Sequence, residues 1–336
     1  MSFFQLGAEE RLKDNQLVAL NQLIDWRPVD ALLSRIHKRD WTRGGGPNPY
    51  PPVQMFKALL LANWHQLSDQ GLVDSLRVRL DFMLFTGFDL GAPLPDESTV
   101  GRFRNRLSDL GLDRSLFEEV NRQLEGHGLQ IKQAEMAIVD ATVIESANRP
   151  RRCIEVADDR NESDEDQPHA RIIESADPDA RWLKKGSRYH FGYKGFVTVE
   201  GKHGFIRGLH VTPANRSEVK ELETAVRNAG NLKGLYSDKG YASKANRRWL
   251  AEQGIVDGIM YSGHASRPLE PIEKQANRLI SRVRWKVEQC FGTLKRRFGF
   301  SRARYRTTER VESELYWKAI CFNLLKAQRL LQGKCA

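Results

Sequence analysis

The chain has 336 residues, room for about two domains at roughly 150 residues each. It is 40% hydrophobic with a mean hydropathy of −0.55, ordinary for a protein that buries a real core. No apolar run approaches the roughly 18 residues of a membrane span, and the opening MSFFQLGAEERLKDNQ lacks the basic start and apolar stretch of a secretory signal. The expectation is a cytoplasmic protein. Cys153, Cys290, Cys321 and Cys335 form no Cys-x-x-Cys pair, which argues against a structural zinc site and a disulfide framework. Lys and Arg total 53 against 43 Asp and Glu, a net charge of +10. The excess is local. Residues 278–310 hold eleven basic and two acidic side chains, whereas residues 155–179 hold ten acidic and two basic. A concentrated basic segment points to a polyanion, most often nucleic acid, or to a solvated helix face.

In chain order, the first third reads as helical. Residues 53–67 (VQMFKALLLANWHQL) carry apolar groups on more than one face, as a buried helix does. Before them, Thr42–Pro52 is a Gly/Pro breaker cluster with no Gly-Lys-Ser/Thr after it, so nucleotide hydrolysis and a nucleotide cofactor have no support. A helical run over about 68–85 and a loop lead to DESTVGRFRNRL. There Asp96 or Ser98 can cap a helix whose Val100, Phe103 and Leu107 form an apolar stripe. Arg102, Arg104 and Arg106 lie off that stripe and are expected to face outward. Such a helix suits groove reading in a helix-turn-helix arrangement, and equally an ordinary surface position.

From residue 133 the pattern changes. AEMAIVDATVI reads as a strand, HFGYKGFVTVEG and FIRGLHVTPAN as a hairpin, and SEVKELETAVRNAG as a helix after Ser217. GLYSDKGYAS ends a strand, SKANRRWLAEQG is helical, IVDGIMYS is strand-like, and a long helix covers about 274–298. Hairpin strands followed by alternating strands and helices mark an α/β domain with a mixed sheet. The acidic stretch, within an insertion near 150–186, is expected to be solvated, with Asp158–Gln167 a mobile loop.

Three carboxylates are poorly explained by solvation. Asp140 follows Ala-Ile-Val in a central strand, Asp238 ends GLYS, and Glu288 sits among basic residues on the long helix. Central strands seldom carry a carboxylate unless it is paired or binds a cation, and hard divalent ions want oxygen ligands. At 100° per residue from Ser281, the residues Arg284, Glu288 and Lys295 fall within about 60° of it. Ile280, Val283, Val287, Phe291, Leu294 and Phe298 occupy the neighbouring arc, which should pack on the sheet. Taken alone, Glu288 is also explained by an i, i+4 salt bridge with Arg284. Trp182, Trp249, Trp285 and Trp317 are expected to be core or half-buried. Cys290 is expected to be a small buried side chain.

IVDATVI, LYSDKGYAS and RVRWKVEQCFGTLKRRFG together resemble the DDE transposases of bacterial insertion sequences, most closely insertion sequence family five. Arg284, Glu288 and Lys295 match the spacing of the group's Tyr-x-x-Arg-x-x-x-Glu-x-x-x-x-x-x-Lys signature, with Ser281 at its Tyr position. DESTVGRFRNRL, HFGYKGF and HVTPANRSE resemble further motifs of the family, so the likeness covers roughly residues 10–325. The resemblance implies a helical N-terminal domain for DNA binding and dimerisation over 1–132. It implies an RNase H-like catalytic domain over 133–336, in which Asp140, Asp238 and Glu288 hold two Mg²⁺ ions, with Mn²⁺ substituting. The implied activity is cutting transposon ends and joining them to target DNA by phosphoryl transfer. The implied partners are double-stranded DNA and a second copy of the chain, in the cytoplasm and at the nucleoid. Arg284 and Lys295 would grip phosphates near the scissile bond. Arg296, Arg297, Arg302, Arg304 and Arg306 would carry the DNA backbone, with Arg102, Arg104 and Lys194 as further contacts and His190 beside Lys194. The rival readings are an RNase H-like DNA nuclease and a DNA-binding regulator that does not transpose.

Overall fold

The computed structural model describes residues 7, 10–37, 49–89, 91–129, 135–148, 153–156, 170–173, 177–264 and 266–334. Helices fill the first part: α1 (Gln16–Leu23), α2 (Trp26–Leu33), α3 (Pro52–Trp64), α4 (Asp69–Val78), α5 (Leu80–Thr86), α6 (Glu97–Asp109) and α7 (Leu112–Gly126). Local chemistry sets their ends. Asn15, Asp25, Ser68 and Asp96 each accept a backbone N–H of the first turn, which satisfies one otherwise orphaned donor. Pro52 opens α3 where its missing N–H costs nothing. Gly87, at φ +80°, ends α5. The run expected over 68–85 is two helices, divided at Arg79, whose backbone is extended (φ −95°, ψ 112°). Helix α3 is buried continuously from Met55 to Ala62, as its many-sided apolar pattern requires.

The second part carries β1 (Ala137–Glu145), β2 (Cys153–Val156), β3 (Ala170–Ile173), β4 (Arg181–Lys185), β5 (Arg188–Glu200) and β6 (Ile206–Pro213). There follow α8 (Glu218–Ala229), β7 (Gly234–Ser237), α9 (Lys244–Glu252), β8 (Val256–Ile259), α10 (Pro271–Arg296) and α11 (Thr308–Lys334). Strand β5 pairs antiparallel with β1, β4 and β6, while β1, β7 and β8 run parallel side by side. Read across, β6–β5–β1–β7–β8 is the strand order of an RNase H-like sheet, with its second strand antiparallel to the rest. A helical first part and a mixed sheet after it are what the sequence pattern indicates, and the RNase H-like form of that sheet is what the family resemblance implies. Strands β2 and β3 form a separate antiparallel pair, β3 falling within the acidic stretch. The loop expected at Asp158–Gln167 lies outside the described residues.

Each sheet face has its own core. On one face, Ala137, Val139, Phe196 and Leu235 meet Leu222, Ala225 and Leu250 of α8 and α9. On the other, Ile138, Ile144, Val197 and Val199 join a larger cluster that runs through α10 and α11 into the N-terminal helices. Helix α11 packs against α3, α7 and β6, and its residues are buried almost without interruption from Ser313 to Leu325. Within it Lys318 and Glu314 form an ion pair of 3.1 Å, with side chains 0% and 1% exposed. Glu314 also accepts the Arg304 N–H and Lys318 donates to the Phe298 carbonyl, so the pair pins the 297–306 segment between α10 and α11. Breaking a buried pair of this kind costs about 3–5 kcal/mol. Among the described residues no helix is long and apolar enough to cross a membrane.

Candidate active site

Register brings the two aspartates together. On the neighbouring parallel strands β1 and β7, Val139 pairs with Ser237. Asp140 and Asp238 are the next residue along each strand, at the C-terminal edge where open α/β sheets take their ligands. Asp140 lies mid-strand opposite Val197 of β5, one residue past the last pairing of β1 with β7. Asp238 stands where β7 turns into a short 3-10 helix, Lys239–Tyr241, and caps it by accepting the Gly240 N–H.

One guanidinium joins the two. Arg284, on α10, donates to Asp140 Oδ2 at 2.8 Å and stands 3.8 Å from Asp238 Oδ2. Its other terminal nitrogen approaches Met260 Sδ, just beyond β8. Burial pushes the Asp140 carboxyl above its ordinary value; Arg284 and the Ala141 N–H pull it back, and the charge of Asp238 raises it again. The Tyr241 hydroxyl is buried beneath the pair with no hydrogen-bond partner, and burial and the charges of Asp140, Glu218 and Asp238 push its phenol well up. Two neighbouring carboxylates are a suitable oxygen donor set for a hard divalent ion, which would take over the place that the Arg284 guanidinium holds beside Asp140.

Helix α10 presents the faces its sequence implies. Ile280, Val287, Phe291, Leu294 and Phe298 are buried, Val283 packs against them half-buried, and Cys290 is fully buried. Glu288, one turn after Arg284, is exposed. It makes no salt bridge with Arg284, whose guanidinium is committed to the aspartates. Among the described residues no three acidic, His or Cys side chains approach closely enough to form a metal cluster. The structure therefore brings Asp140 and Asp238 together and leaves Glu288 on the solvent side of the same helix. Lys295, two turns farther on, is half-buried, and burial, then the nearby Lys185, lowers its pKa.

Several basic residues lie elsewhere than the sequence suggests. Arg104 does not face outward. It donates to both carboxylate oxygens of Asp69 at 2.6 and 2.9 Å and stacks over Tyr305, because α4 packs on that side of α6. Arg102 is exposed and bonds Ser98 and Thr99 of its own helix. Lys194 is not on an edge strand: β5 has partners on both sides, and the amine is buried against Glu218. His190 lies 3.6 Å from Glu145. Arg302 donates to the Ser146 and Ala147 carbonyls, and Arg304 to that of Leu67, while both remain exposed. Arg296, Arg297 and Arg306 are exposed, Arg297 lying over the Trp64 ring. Trp317 is core, but Trp182 and Trp285 are 47% and 51% exposed. Sequence reasoning missed Tyr241 and Glu218. Tyr241 stands three residues after Asp238, and that proximity is the only signal it offers.

Residues 132–324 match the family described as "Transposase DDE domain", and residues 5–106 match "Transposase domain (DUF772)". The chain is 39% identical over 233 residues to the transposase for insertion sequence element IS1106 of Neisseria meningitidis serogroup B, covering 69% of this chain and 78% of that protein. Among solved structures it is similar to the piggyBac transposase synaptic complex with hairpin DNA, at 11% identity and a TM-score of 0.47, over 94% of this chain and 75% of that one. The Mos1 strand transfer complex aligns at 12% identity and a TM-score of 0.20, over 88% and 81% of the two chains.

Proposed function

The chain belongs to the DDE transposases of bacterial insertion sequences, and from that premise we propose that it cuts DNA at transposon ends and joins them to target DNA by two-metal phosphoryl transfer. The observation that carries the mechanism is the meeting of Asp140 and Asp238 around the Arg284 guanidinium. Asp140 and Asp238 would hold two Mg²⁺ ions, with Mn²⁺ able to substitute, and Glu288 would complete the set from α10. Bound there, the ions would activate the oxygen nucleophile and would offset charge on the attacked phosphate and the leaving 3′-oxygen. No protein nucleophile is required, since positioning and electrostatic stabilisation account for most of the acceleration in such transfers.

The remaining roles fall to the chain's own cations. Arg284 holds the aspartates in register and offers its free donors to a phosphate beside the scissile bond. Lys295 lies farther along the same helix as a second phosphate contact. Arg296, Arg297, Arg302, Arg304 and Arg306 continue from it along the path of the DNA backbone, positioning without reading bases. Because two transposon ends must be joined in one event, the active form is a homodimer. The test is to incubate the protein with labelled end duplexes and Mg²⁺ and map the cuts. Strand-specific cleavage at the end, lost in Asp238→Ala, supports the reading, whereas random nicking or no cleavage contradicts it.

A further inference from the structure

Glu218 opens α8, and its carboxylate lies between two groups beside the aspartates. Its Oε1 is 3.2 Å from the Lys194 Nζ. That amine belongs to a residue 6% exposed and donates a second bond, of 2.9 Å, to the Arg216 carbonyl. Its Oε2 faces Gly240, where an added Cβ would stand 2.6 Å from that oxygen and 3.1 Å from Asp238 Oδ1. Gly240 is not among the positive-φ glycines, so what the position demands is space rather than a left-handed backbone. The same Gly240 gives its N–H to Asp238. Glu218 and Asp238 thus meet across one bare glycine.

Lys194 and Glu218 approach from the side opposite Arg284. Asp140 pairs with Val197 and Val143 with Lys194, so on an alternating strand Asp140 and Lys194 project from opposite sheet faces. Tyr241 lies between the two approaches, 0% exposed, its hydroxyl unpartnered and subject to the charges of Asp140, Glu218 and Asp238. An unpartnered buried hydroxyl is rare enough to ask for an explanation. Here it lies within reach of the charges of three carboxylates, two of them the aspartates that Arg284 joins.

We propose that Glu218, anchored by Lys194, is a positioning residue that aims Asp238 toward Asp140. Like charges repel across Gly240, so the Glu218 carboxylate turns that of Asp238 away from α8 and toward the Arg284 side. The Lys194 amine and the Arg216 carbonyl keep Glu218 from relaxing away instead. Asp238 needs such support because it stands on a three-residue turn with its side chain 35% exposed. The inference rests on the reading of Asp238 as a metal-holding residue. Outer partners that orient a metal-holding carboxylate typically change metal affinity or activity by about 10–100-fold when removed.

The test compares wild type, Glu218→Gln and Asp238→Ala. Mn²⁺ is titrated calorimetrically into the DNA-free full chain, and cutting of a labelled end duplex is followed against Mn²⁺ concentration. Melting temperature and end-duplex binding without metal are recorded for each. The expected result is that Glu218→Gln binds Mn²⁺ about 10-fold more weakly or worse. It needs correspondingly more Mn²⁺ for half-maximal cutting, and it melts and binds the end as wild type does. A purely structural role would instead lower melting and end binding while leaving the half-saturating Mn²⁺ unchanged, which overturns the proposal. So does wild-type Mn²⁺ affinity in Glu218→Gln beside an inactive Asp238→Ala. Full cutting by Asp238→Ala removes the site reading itself. If Glu218→Gln does not fold, Gly240→Ala displaces the Glu218 carboxylate without removing its charge, and wild-type Mn²⁺ affinity in that variant overturns the proposal equally.

Discussion

Replacing Arg284 with Met keeps the length and helix propensity of the side chain and removes the guanidinium that joins the aspartates. Breaking a buried pair costs about 3–5 kcal/mol. Here the Arg284 and Asp140 side chains keep 13% and 17% of their exposure, and the contact to Asp238 is long at 3.8 Å. The low end, about 3 kcal/mol, is therefore expected. At roughly 2 °C per kcal/mol for a chain of this length, Arg284→Met melts about 6 °C below wild type in EDTA. Divalent ions narrow the difference. A cation at 100 times its Kd contributes about 2.7 kcal/mol, but in wild type it competes with Arg284 for Asp140, whereas in the variant the carboxylates are free. Mg²⁺ or Mn²⁺ should accordingly raise the melting temperature of Arg284→Met by more than it raises that of wild type, narrowing the gap. Differential scanning calorimetry with and without metal measures both numbers. Wild-type melting in EDTA, or an equal metal response in the two proteins, would refute the reasoning.

Asp140→Ala, Asp238→Ala and Glu288→Ala should each lose cleavage while still shifting an end duplex in a gel, and Ca²⁺, larger and less demanding in geometry, should support binding without efficient cutting; normal cutting by any variant removes that residue from the site. The triple variant Arg302→Ala, Arg304→Ala, Arg306→Ala should show a salt dependence of DNA affinity shallower by about 2–3 log units per log unit, at about 0.9 per phosphate contact. An unchanged slope with a lower melting temperature would assign Arg302 and Arg304 to the carbonyls they already hold. Burial pushes the Asp113 carboxyl up to about 6 from 3.8, although Ser313 bonds it. A raised carboxyl contributes stability below its unfolded pKa and loses it as pH rises through the folded value. Asp113→Asn should thus flatten the stability curve between about pH 4 and 6 and gain up to about 3 kcal/mol at pH 7; an unaltered slope in urea unfolding would show that Asp113 does not titrate there.

The aspartates were legible because a carboxylate inside Ala-Ile-Val or at the end of Gly-Leu-Tyr-Ser conflicts with its apolar surroundings, and that conflict is local. The buried arc of α10 was legible for the same reason, since rotation per residue decides it without reference to the rest of the fold. Partners were harder. Arg284 has a carboxylate four residues away in Glu288, yet it spends its charge on Asp140 of a distant strand. The competing choice is fixed by strand register, which sequence spacing does not contain. Arg104 lies off the apolar stripe of α6, as expected, but Asp69 arrives from α4 and turns it inward. Lys194 is expected among the DNA contacts, but β1 and β6 flank β5 and the amine is buried against Glu218. Trp285 is left exposed because helical position, rather than residue type, determines what faces the core.

The proposed function requires the site that Asp140 and Asp238 build to join DNA as well as cut it. The direct measurement supplies pre-cut transposon-end duplexes, a supercoiled target plasmid and Mg²⁺, and sequences the products. The expected result is end DNA covalently joined to the plasmid through its 3′-oxygen, with both ends inserted together by wild type and no product from Asp238→Ala. Nicked plasmid without joined ends would make the protein a nuclease and contradict the account.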